Sequence, residues 1–513
     1  MTRADTAPET PFEEMLEHTL SAIADGFSAS GDLTAAFSRY VNEFFIPYLI
    51  STAYFREVEQ QRAFRADLTD TVDAYQRLSN FNLALWMRAM KGAAESFSRY
   101  LSVEARRTFD AMAELSSGDT QALVRLMRRK AELAQTLARR YPQAIDAIAP
   151  EYGLHAKGTE TVKVDETDRF ILYQVLPSDS GVEVRMAGKP ILIIPPYVLG
   201  ANILSFLPGE KRSYVHCFAN QGIPTYIRVL KKIDESEALQ TMSGEDDTND
   251  TRRFAEHICG KHGRGLTLNG YCQGGFSALC NLLTGRLDDL VDAFITCVAP
   301  MDGTRSKGLS GFLGDLPARF NDLDYGTKTL KNGNAVADGK LMGWVYKLKS
   351  IETEFPVPAF LRDLLMFARQ PEGGITIGKT AAALNYWLNY ERFDLPLEIT
   401  KMSFASYNTP ISAEGVLPVT LFGQKLDIHR IAEKNLPWLI CHGESDDLVE
   451  PAVALAPLDF VEAEVSAFPK GHVAIATSWS HPESACALHT RFGEQQYRGP
   501  VRFHLDVDES SNG

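Results

Sequence analysis

A cysteine set between glycines follows directly on a predicted strand. In LTLNGYCQGGFSALCNLL, the apolar run predicts a strand that ends near Asn269, and an apolar helical pattern begins just after the glycines. The turn between them carries Gly270, Cys272, Gly274 and Gly275. A strand, a tight G-x-C-x-G turn and a helix form a nucleophile elbow, here with Cys in place of the more usual Ser.

The residue types in this turn fit thiolate chemistry. Glycines two positions before and after Cys272 allow the strand and the helix to pack closely around a strained backbone. The helix N-terminus beneath the sulfur favours its thiolate form. The N–H of Gln273 is expected to face the space where an oxyanion would form. The turn therefore predicts a cysteine nucleophile that attacks a carbonyl group.

Candidate partners follow in the order nucleophile, acid, histidine. Asp446 stands in a turn after the apolar run PWLICHG, and His472 follows a short strand and a Gly in VSAFPKGH. Both contexts place a side chain at the carboxyl end of a strand, where a triad on this kind of elbow takes its acid and base. Asp447 is a rival for the acid and His481 for the base. The predicted triad is Cys272, Asp446 and His472.

The elements that must position these residues alternate between strand and helix from about residue 160 onwards. Continuous apolar runs such as KPILIIPPYV, PTYIRVLK and VDAFITCVAP predict strands buried on both faces, with helical patterns between them. This alternation predicts an α/β catalytic domain over 151–513 with a mostly parallel sheet. Residues 301–430 interrupt it and are expected to form an inserted cap. Residues 1–150 have helical periodicity and predict a helical N-terminal region.

Composition limits the classes of function. The chain has 513 residues, 45% hydrophobic and 23% charged, which is typical of a globular protein. The formal charge of −14 argues against nucleic-acid binding. An odd number of cysteines without a CxxC motif predicts neither a disulfide framework nor a zinc site. We expect no transmembrane segment, and an N-terminus without signal-peptide character predicts a cytoplasmic protein.

With these residues in view, the sequence resembles the poly(3-hydroxyalkanoate) synthase family, whose box reads G-x-C-x-G-G. The resemblance covers about 185–475. It extends to ILIIPPYVLGANILSFLPGEKRSYVHCFANQG, FITCVAPMDGTRSKG and the run beginning NYWLNYERFDLP. The chain departs from the family pattern at Phe276, at Leu199-Gly200 and at Glu450. These departures bear on polymer elongation and substrate choice more than on the triad.

The resemblance implies an α/β-hydrolase fold with a cap and an acyltransferase activity. Such an enzyme polymerises 3-hydroxyacyl-CoA and releases coenzyme A through a Cys-bound acyl intermediate, without a metal or an organic cofactor. The implied oxyanion hole consists of Gln273, Tyr197 and Val198. The implied partners are 3-hydroxyacyl-CoA and a polyester chain or granule, so the cytoplasmic protein would associate with granules. The resemblance also allows a homodimer.

Two other functions stay open on the sequence. A Cys-dependent thioesterase or hydrolase of the same fold would release free acid in place of polymer. A non-catalytic, synthase-like subunit would bind granules or regulate a partner, although the predicted triad argues against it. The reaction product separates the first alternative from a synthase, and thiol labelling at Cys272 addresses the second.

Overall fold

A computed structural model describes residue 24 and residues 28–507, with gaps at 120, 156–159, 317–322, 324 and 372–373. The rest of the predicted N-terminal region, 1–23 and 25–27, lies outside the described residues. Two compact units emerge. One consists of the described residues up to Ile148 together with Trp344–Ala382, and the other consists of those in Ala149–Gly343 and Ala383–Gly513. The expected domain bounds at residue 150 and around the cap stay predictions.

The first unit is helical. Its longest helix, Leu68–Ser116, is capped at its start by the Asp67 carboxylate. Residues at a spacing of three to four, including Phe81 and Leu85, are buried along one face, as a helix that packs on other helices requires. The helices of this unit are residues 28–40, the π-helical turn Val41–Phe45, Ile46–Ala63, Leu68–Ser116, Ala122–Gln135, the π-helical turn Thr136–Arg140, Tyr141–Ala147, Ile351–Glu354 and Pro356–Ala368.

Part of the predicted cap belongs to this helical unit. Arg88 pairs with both carboxylate oxygens of Glu352, one of them at 2.8 Å. The Tyr40 hydroxyl donates to Asp363 at 2.6 Å. A Cβ at Gly92 would stand 2.1 Å from the Glu352 backbone carbonyl oxygen, so the two helices approach closely there. The sequence between the two parts does not reveal this association, because the pairs are separated by more than 200 residues.

The second unit is built on a central sheet. The strands of the described residues are, in chain order, β1 (Thr161–Glu166), β2 (Phe170–Val175), β3 (Ile191–Ile194), β4 (Thr225–Leu230), β5 (Leu266–Tyr271), β6 (Val291–Cys297), β7 (Thr327–Thr329), β8 (Ala335–Ala337), β9 (Leu395–Pro396), β10 (Val416–Leu421), β11 (Gln424–Asp427), β12 (Trp438–Gly443), β13 (Glu464–Phe468), β14 (Arg491–Phe492) and β15 (Tyr497–Arg498).

The main sheet has eight strands in the order β1-β2-β4-β3-β5-β6-β12-β13. Strands β4, β3, β5, β6, β12 and β13 run parallel, while β2 is antiparallel to β4 and to β1. All four residues of β3 are fully buried, which explains its continuous apolar sequence. This order confirms the predicted α/β class and is that of an α/β-hydrolase sheet.

Helices connect the parallel strands, as crossover connections require. Those of this unit are Tyr214–Ala219, Glu237–Gln240, Gly244–His262, Gln273–Leu283, Leu309–Asp315, Leu397–Asn408, Arg430–Glu433, Pro451–Ala454 and Ala474–Thr477; Gly339–Lys349 and Lys379–Tyr390 cross the unit boundary. The chain leaves the main sheet between Cys297 and Trp438, where the sequence predicts an insertion. In the part of the chain that is described, no helix combines the length and apolarity that a membrane crossing needs.

Candidate active site

Cys272 occupies a strained turn between β5 and the helix Gln273–Leu283, which we call the elbow helix. Its φ is 52° and its ψ is −127°, a conformation that L-residues rarely adopt. The Cys272 N–H donates to the Cys297 carbonyl on the neighbouring β6 at 2.8 Å, which holds the turn against the sheet. The side chain is buried, with 6% exposure. The backbone therefore presents the sulfur at the end of the sheet, next to the helix N-terminus.

The three glycines of the turn permit contacts that no side chain would allow. A Cβ at Gly270 would stand 2.3 Å from the Gly275 Cα, so strand and helix touch at this point. A Cβ at Gly274 would stand 2.4 Å from the Ile194 carbonyl oxygen of β3. A Cβ at Gly275 would stand 2.5 Å from that of Ala299. The close packing expected from the motif is present on all sides of the turn.

We predict that Gly274→Ala lowers the free energy of unfolding by about 2–4 kcal/mol, because backbone carbonyls on the neighbouring strand cannot move away easily. Gly260→Ala is the matched control. Its Cβ would meet nothing within 4 Å, and it lies inside the helix Gly244–His262, where Ala is favoured over Gly by about 0.5–1 kcal/mol. Urea titration of both variants measures the difference. Equal stability of the two would contradict the packing described for the elbow.

The predicted acid and base lie together. Nδ1 of His472 is 2.8 Å from Oδ2 of Asp446. The other oxygen, Oδ1, accepts the backbone N–H groups of Leu448 and Val449, both at 2.9 Å. Asp446 is 4% exposed, whereas its rival Asp447 is exposed to solvent. The turn thus fixes one carboxylate oxygen and directs the other at the imidazole ring.

The remaining ring nitrogen of His472, Nε2, is the predicted proton acceptor for Cys272. Nε2 is buried and forms no hydrogen bond of good geometry among the described residues, although Cys272 lies close enough to the ring to affect its protonation. Burial alone would lower the His472 pKa, but the electrostatic influence of Cys272 and Asp446 beside the ring outweighs it and raises the pKa well above its ordinary value. The Tyr271 hydroxyl, one residue before the nucleophile, donates to the His472 carbonyl at 3.0 Å. This arrangement can move a proton between sulfur and imidazole.

The loop after β3 reaches the elbow from the other side. The Val198 N–H donates to Oε1 of the Gln273 side chain at 3.4 Å. Gln273 begins the elbow helix, and the N–H groups of a first helical turn have no partner within the helix. The backbone N–H groups of Val198 and Gln273 therefore lie on the two sides of the turn. The Gln273 side-chain oxygen is the acceptor for the Val198 N–H.

Tyr197, which precedes Val198, directs its side chain into the core. Its hydroxyl contacts Oδ1 of Asp247 and accepts from Arg228 at 2.9 Å. Ser277 on the elbow helix donates to the same aspartate. The sequence analysis does not predict these contacts. The charged Arg228 inside the apolar strand TYIRVL could have indicated them, since a buried cation needs a buried anion.

A segment within the predicted insertion covers the same loop. The Trp387 indole N–H donates to the Leu199 carbonyl at 3.3 Å. Asn202 donates to Glu391 at 2.5 Å, and a Cβ at Gly200 would stand 2.4 Å from the Phe393 ring. This covering segment, 387–393, limits access to the loop that carries Val198. The departures from the synthase pattern at Leu199 and Gly200 lie where it packs.

The other candidates of the sequence lie apart or serve local structure. Nδ1 of His481 accepts the backbone N–H of Glu483 at 3.2 Å, and no bond links it to the elbow among the described residues. Glu450, one of the departures, accepts Ser306 Oγ at 2.8 Å and so holds the loop after β6. Phe276, another departure, is buried in the core with 1% exposure.

Comparison with known proteins gives distant likenesses in structure only. The sequence matches no protein-family model and no curated protein sequence. Similar solved structures include a carboxylesterase of the thaumarchaeon Nitrososphaera gargenis (11% identity, TM-score 0.35, covering 62% of this chain and 92% of that one). Others are a putative aryl esterase of Burkholderia cenocepacia (15%, 0.33, 62% and 92%) and a soluble variant of the Saccharomyces cerevisiae monoglyceride lipase (10%, 0.36, 63% and 91%). At these TM-scores the fold assignment depends on the sheet order and the elbow of this chain.

Proposed function

We propose that this protein is a cysteine-dependent acyltransferase that takes 3-hydroxyacyl groups from coenzyme A and joins them into a polyester. The observation that carries the proposal is the strained Cys272 beside the buried His472–Asp446 pair. Thiol-for-thiol exchange is nearly energy-neutral, so a cysteine keeps the acyl group activated for a second acceptor. The resemblance to the synthases supplies the substrate class.

The first half-reaction forms an acyl-enzyme. Nε2 of His472 takes the proton of Cys272, and the thiolate attacks the thioester carbonyl. The backbone N–H groups of Gln273 and Val198 donate to the oxyanion. To do so, the Val198 N–H gives up its hydrogen bond to the Gln273 side-chain oxygen. The carbon–sulfur bond to coenzyme A breaks, and the leaving thiolate takes the proton from His472.

The second half-reaction moves the acyl group to oxygen. The 3-hydroxyl of another acyl unit, or of the growing chain, attacks the acyl-Cys carbonyl while His472 accepts its proton. The new ester bond forms, the bond to the Cys272 sulfur breaks, and the proton returns to the thiolate. Asp446 holds the imidazole in the tautomer that leaves Nε2 free to accept. The proposed steps use only the substrate, these side chains and the backbone N–H groups of Gln273 and Val198.

A second candidate is a thioesterase or hydrolase that uses the same residues. It is favoured by the departures from the synthase pattern at Leu199 and Gly200, which lie in the loop beside the proposed oxyanion site. In that case water replaces the hydroxyl acceptor and the product is a free 3-hydroxy acid. Incubation with 3-hydroxybutyryl-CoA, with thiol release and products followed together, tests both candidates.

Water exclusion decides between these products, and Trp387 offers a way to change it. We expect the intact enzyme to form ester-linked products and Trp387→Ala to shift the product toward free acid by about 10-fold, because the covering segment would loosen and admit water. Trp438→Phe is a control for the loss of an indole N–H, since its donor contacts Thr296 inside the sheet. Chromatography of the products measures the ratio. If the intact enzyme forms only free acid, the proposed synthase function is wrong and the hydrolase function takes its place.

A further inference from the structure

A fully buried carboxylate lies between the two sides of the proposed oxyanion hole. Asp247 has 0% exposure and lies in the first turn of the helix Gly244–His262. Its Oδ1 accepts from the Tyr197 hydroxyl and forms an ion pair with Arg228, whose Nη1 is 2.7 Å away. Its Oδ2 accepts from Ser277 at 2.5 Å and Asn281 at 2.9 Å. Each oxygen therefore has two partners.

The donors come from opposite sides of the elbow. Tyr197 belongs to the loop after β3 and is covalently joined to Val198, whose N–H is one proposed oxyanion donor. Ser277 and Asn281 belong to the elbow helix, whose first N–H, that of Gln273, is the other donor. One oxygen of Asp247 thus holds the loop, and the other holds the helix.

Arg228 completes this connection from β4. Its guanidinium is 1% exposed, lies 4.1 Å from the centre of the Phe170 ring and donates to both Tyr197 and Thr251. A buried ion pair of this kind adds little to stability compared with well-packed apolar side chains. Its geometric effect is larger, because charge-assisted hydrogen bonds fix the distances between the loop after β3, the elbow helix and β4.

We propose that Asp247 and Arg228, acting through Tyr197, are positioning residues that set the separation of the Val198 and Gln273 N–H groups. This inference deepens the proposed function and rests on it, because it assigns the network a role in stabilising the oxyanion of the acyl transfer. The network does not touch the reacting atoms. Its effect is on the transition state, where an oxyanion needs both donors at once.

The test is Tyr197→Phe, which keeps the ring and removes only the hydroxyl. Asp247→Asn is less suitable, since an unpaired buried Arg228 can prevent folding. Tyr226→Phe is the matched control. Tyr226 is also buried, and its hydroxyl bonds to His262 at 2.8 Å, away from the oxyanion loop. We expect Tyr197→Phe to lower kcat for thiol release by about 10- to 100-fold with KM nearly unchanged, and Tyr226→Phe to change kcat by less than about two-fold.

A second readout separates positioning from general damage. Alkylation of Cys272 by iodoacetamide needs the thiolate but no oxyanion hole, so its rate, assigned by mass spectrometry, is expected to stay unchanged in Tyr197→Phe. A Tyr197→Phe enzyme with wild-type kcat overturns the inference, as does one whose alkylation falls in step with kcat.

Two acyl donors distinguish a failure of the positioning inference from a failure of the proposed function. Thiol release from 3-hydroxybutyryl-CoA and phenol release from 4-nitrophenyl butyrate both require the oxyanion hole. Wild-type protein active only on the nitrophenyl ester contradicts the CoA-dependent function, and the comparison of Tyr197→Phe with Tyr226→Phe is then made on that ester. Wild-type protein inactive on both donors overturns the function and the inference together.

Discussion

We expect Cys272→Ala to abolish the proposed release of coenzyme A, with a loss of about 10⁴-fold or more, because no other group in the elbow can form the acyl intermediate. The protein stays folded. The substitution removes one sulfur atom at the end of the sheet, and Ala adopts the strained conformation no less easily than Cys does. We expect a change in unfolding free energy of within about 1 kcal/mol. Stopped-flow detection of free thiol measures the activity.

The matched control for this variant is Cys486→Ala. Cys486 is also free and buried, with 7% exposure, but it belongs to the region after His472. Its loss leaves thiol release close to wild type. Mass spectrometry of the quenched reaction adds an independent check, since we expect the acyl adduct on the Cys272 peptide of wild-type protein. Thiol release from Cys272→Ala at the wild-type rate would remove Cys272 from the mechanism.

The elbow could be predicted from sequence because all of its determinants are local. The strand, the glycines and the helix are contiguous, and the glycines at 270, 274 and 275 have the spacing that close strand–helix packing demands. The predicted α/β class, which is confirmed, also depends on local patterns. Continuous apolar runs such as that of β3 indicate strands buried on both faces, and their alternation with helices determines a mostly parallel sheet.

Features that depend on contacts between distant parts of the chain could not be predicted from the sequence. Tyr197 is 31 residues from Arg228 and 50 from Asp247, and only the sheet order brings these side chains together. The association of Arg88 with Glu352 spans 264 residues and joins part of the predicted insertion to the N-terminal helices. Local periodicity predicted these helices but contains no information about their partners.

The choice between Asp446 and Asp447 as the acid could be predicted only in part from the sequence. The sequence places Asp446 and Asp447 in one turn, where a shift of one residue exchanges a buried side chain for an exposed one. The turn closes with Oδ1 of Asp446 on the N–H groups of Leu448 and Val449. This geometry turns Oδ2 toward His472 and makes Asp446 our proposed acid.

Asp446→Asn is expected to lower the rate of Cys272 acylation by about 10²- to 10⁴-fold. The amide oxygen keeps the two backbone bonds to Leu448 and Val449, so the amide NH₂ must face Nδ1 of His472. Nδ1 then has to accept, and the proton moves to Nε2, the nitrogen that should take the proton of Cys272. The variant inverts the tautomer while it keeps the shape of the side chain.

The same substitution has a predicted effect on titration. The Asp446 charge is one of the causes that raise the His472 pKa, so its removal lowers that pKa, and the imidazolium is lost at a lower pH than in wild-type protein. Nitrogen NMR of the labelled ring reports both the pKa and the tautomer. Asp447→Asn makes the same charge change one residue away on an exposed side chain, and we expect it to leave acylation and the His472 titration near wild type. A larger loss in Asp447→Asn than in Asp446→Asn would transfer the proposed acid role to Asp447.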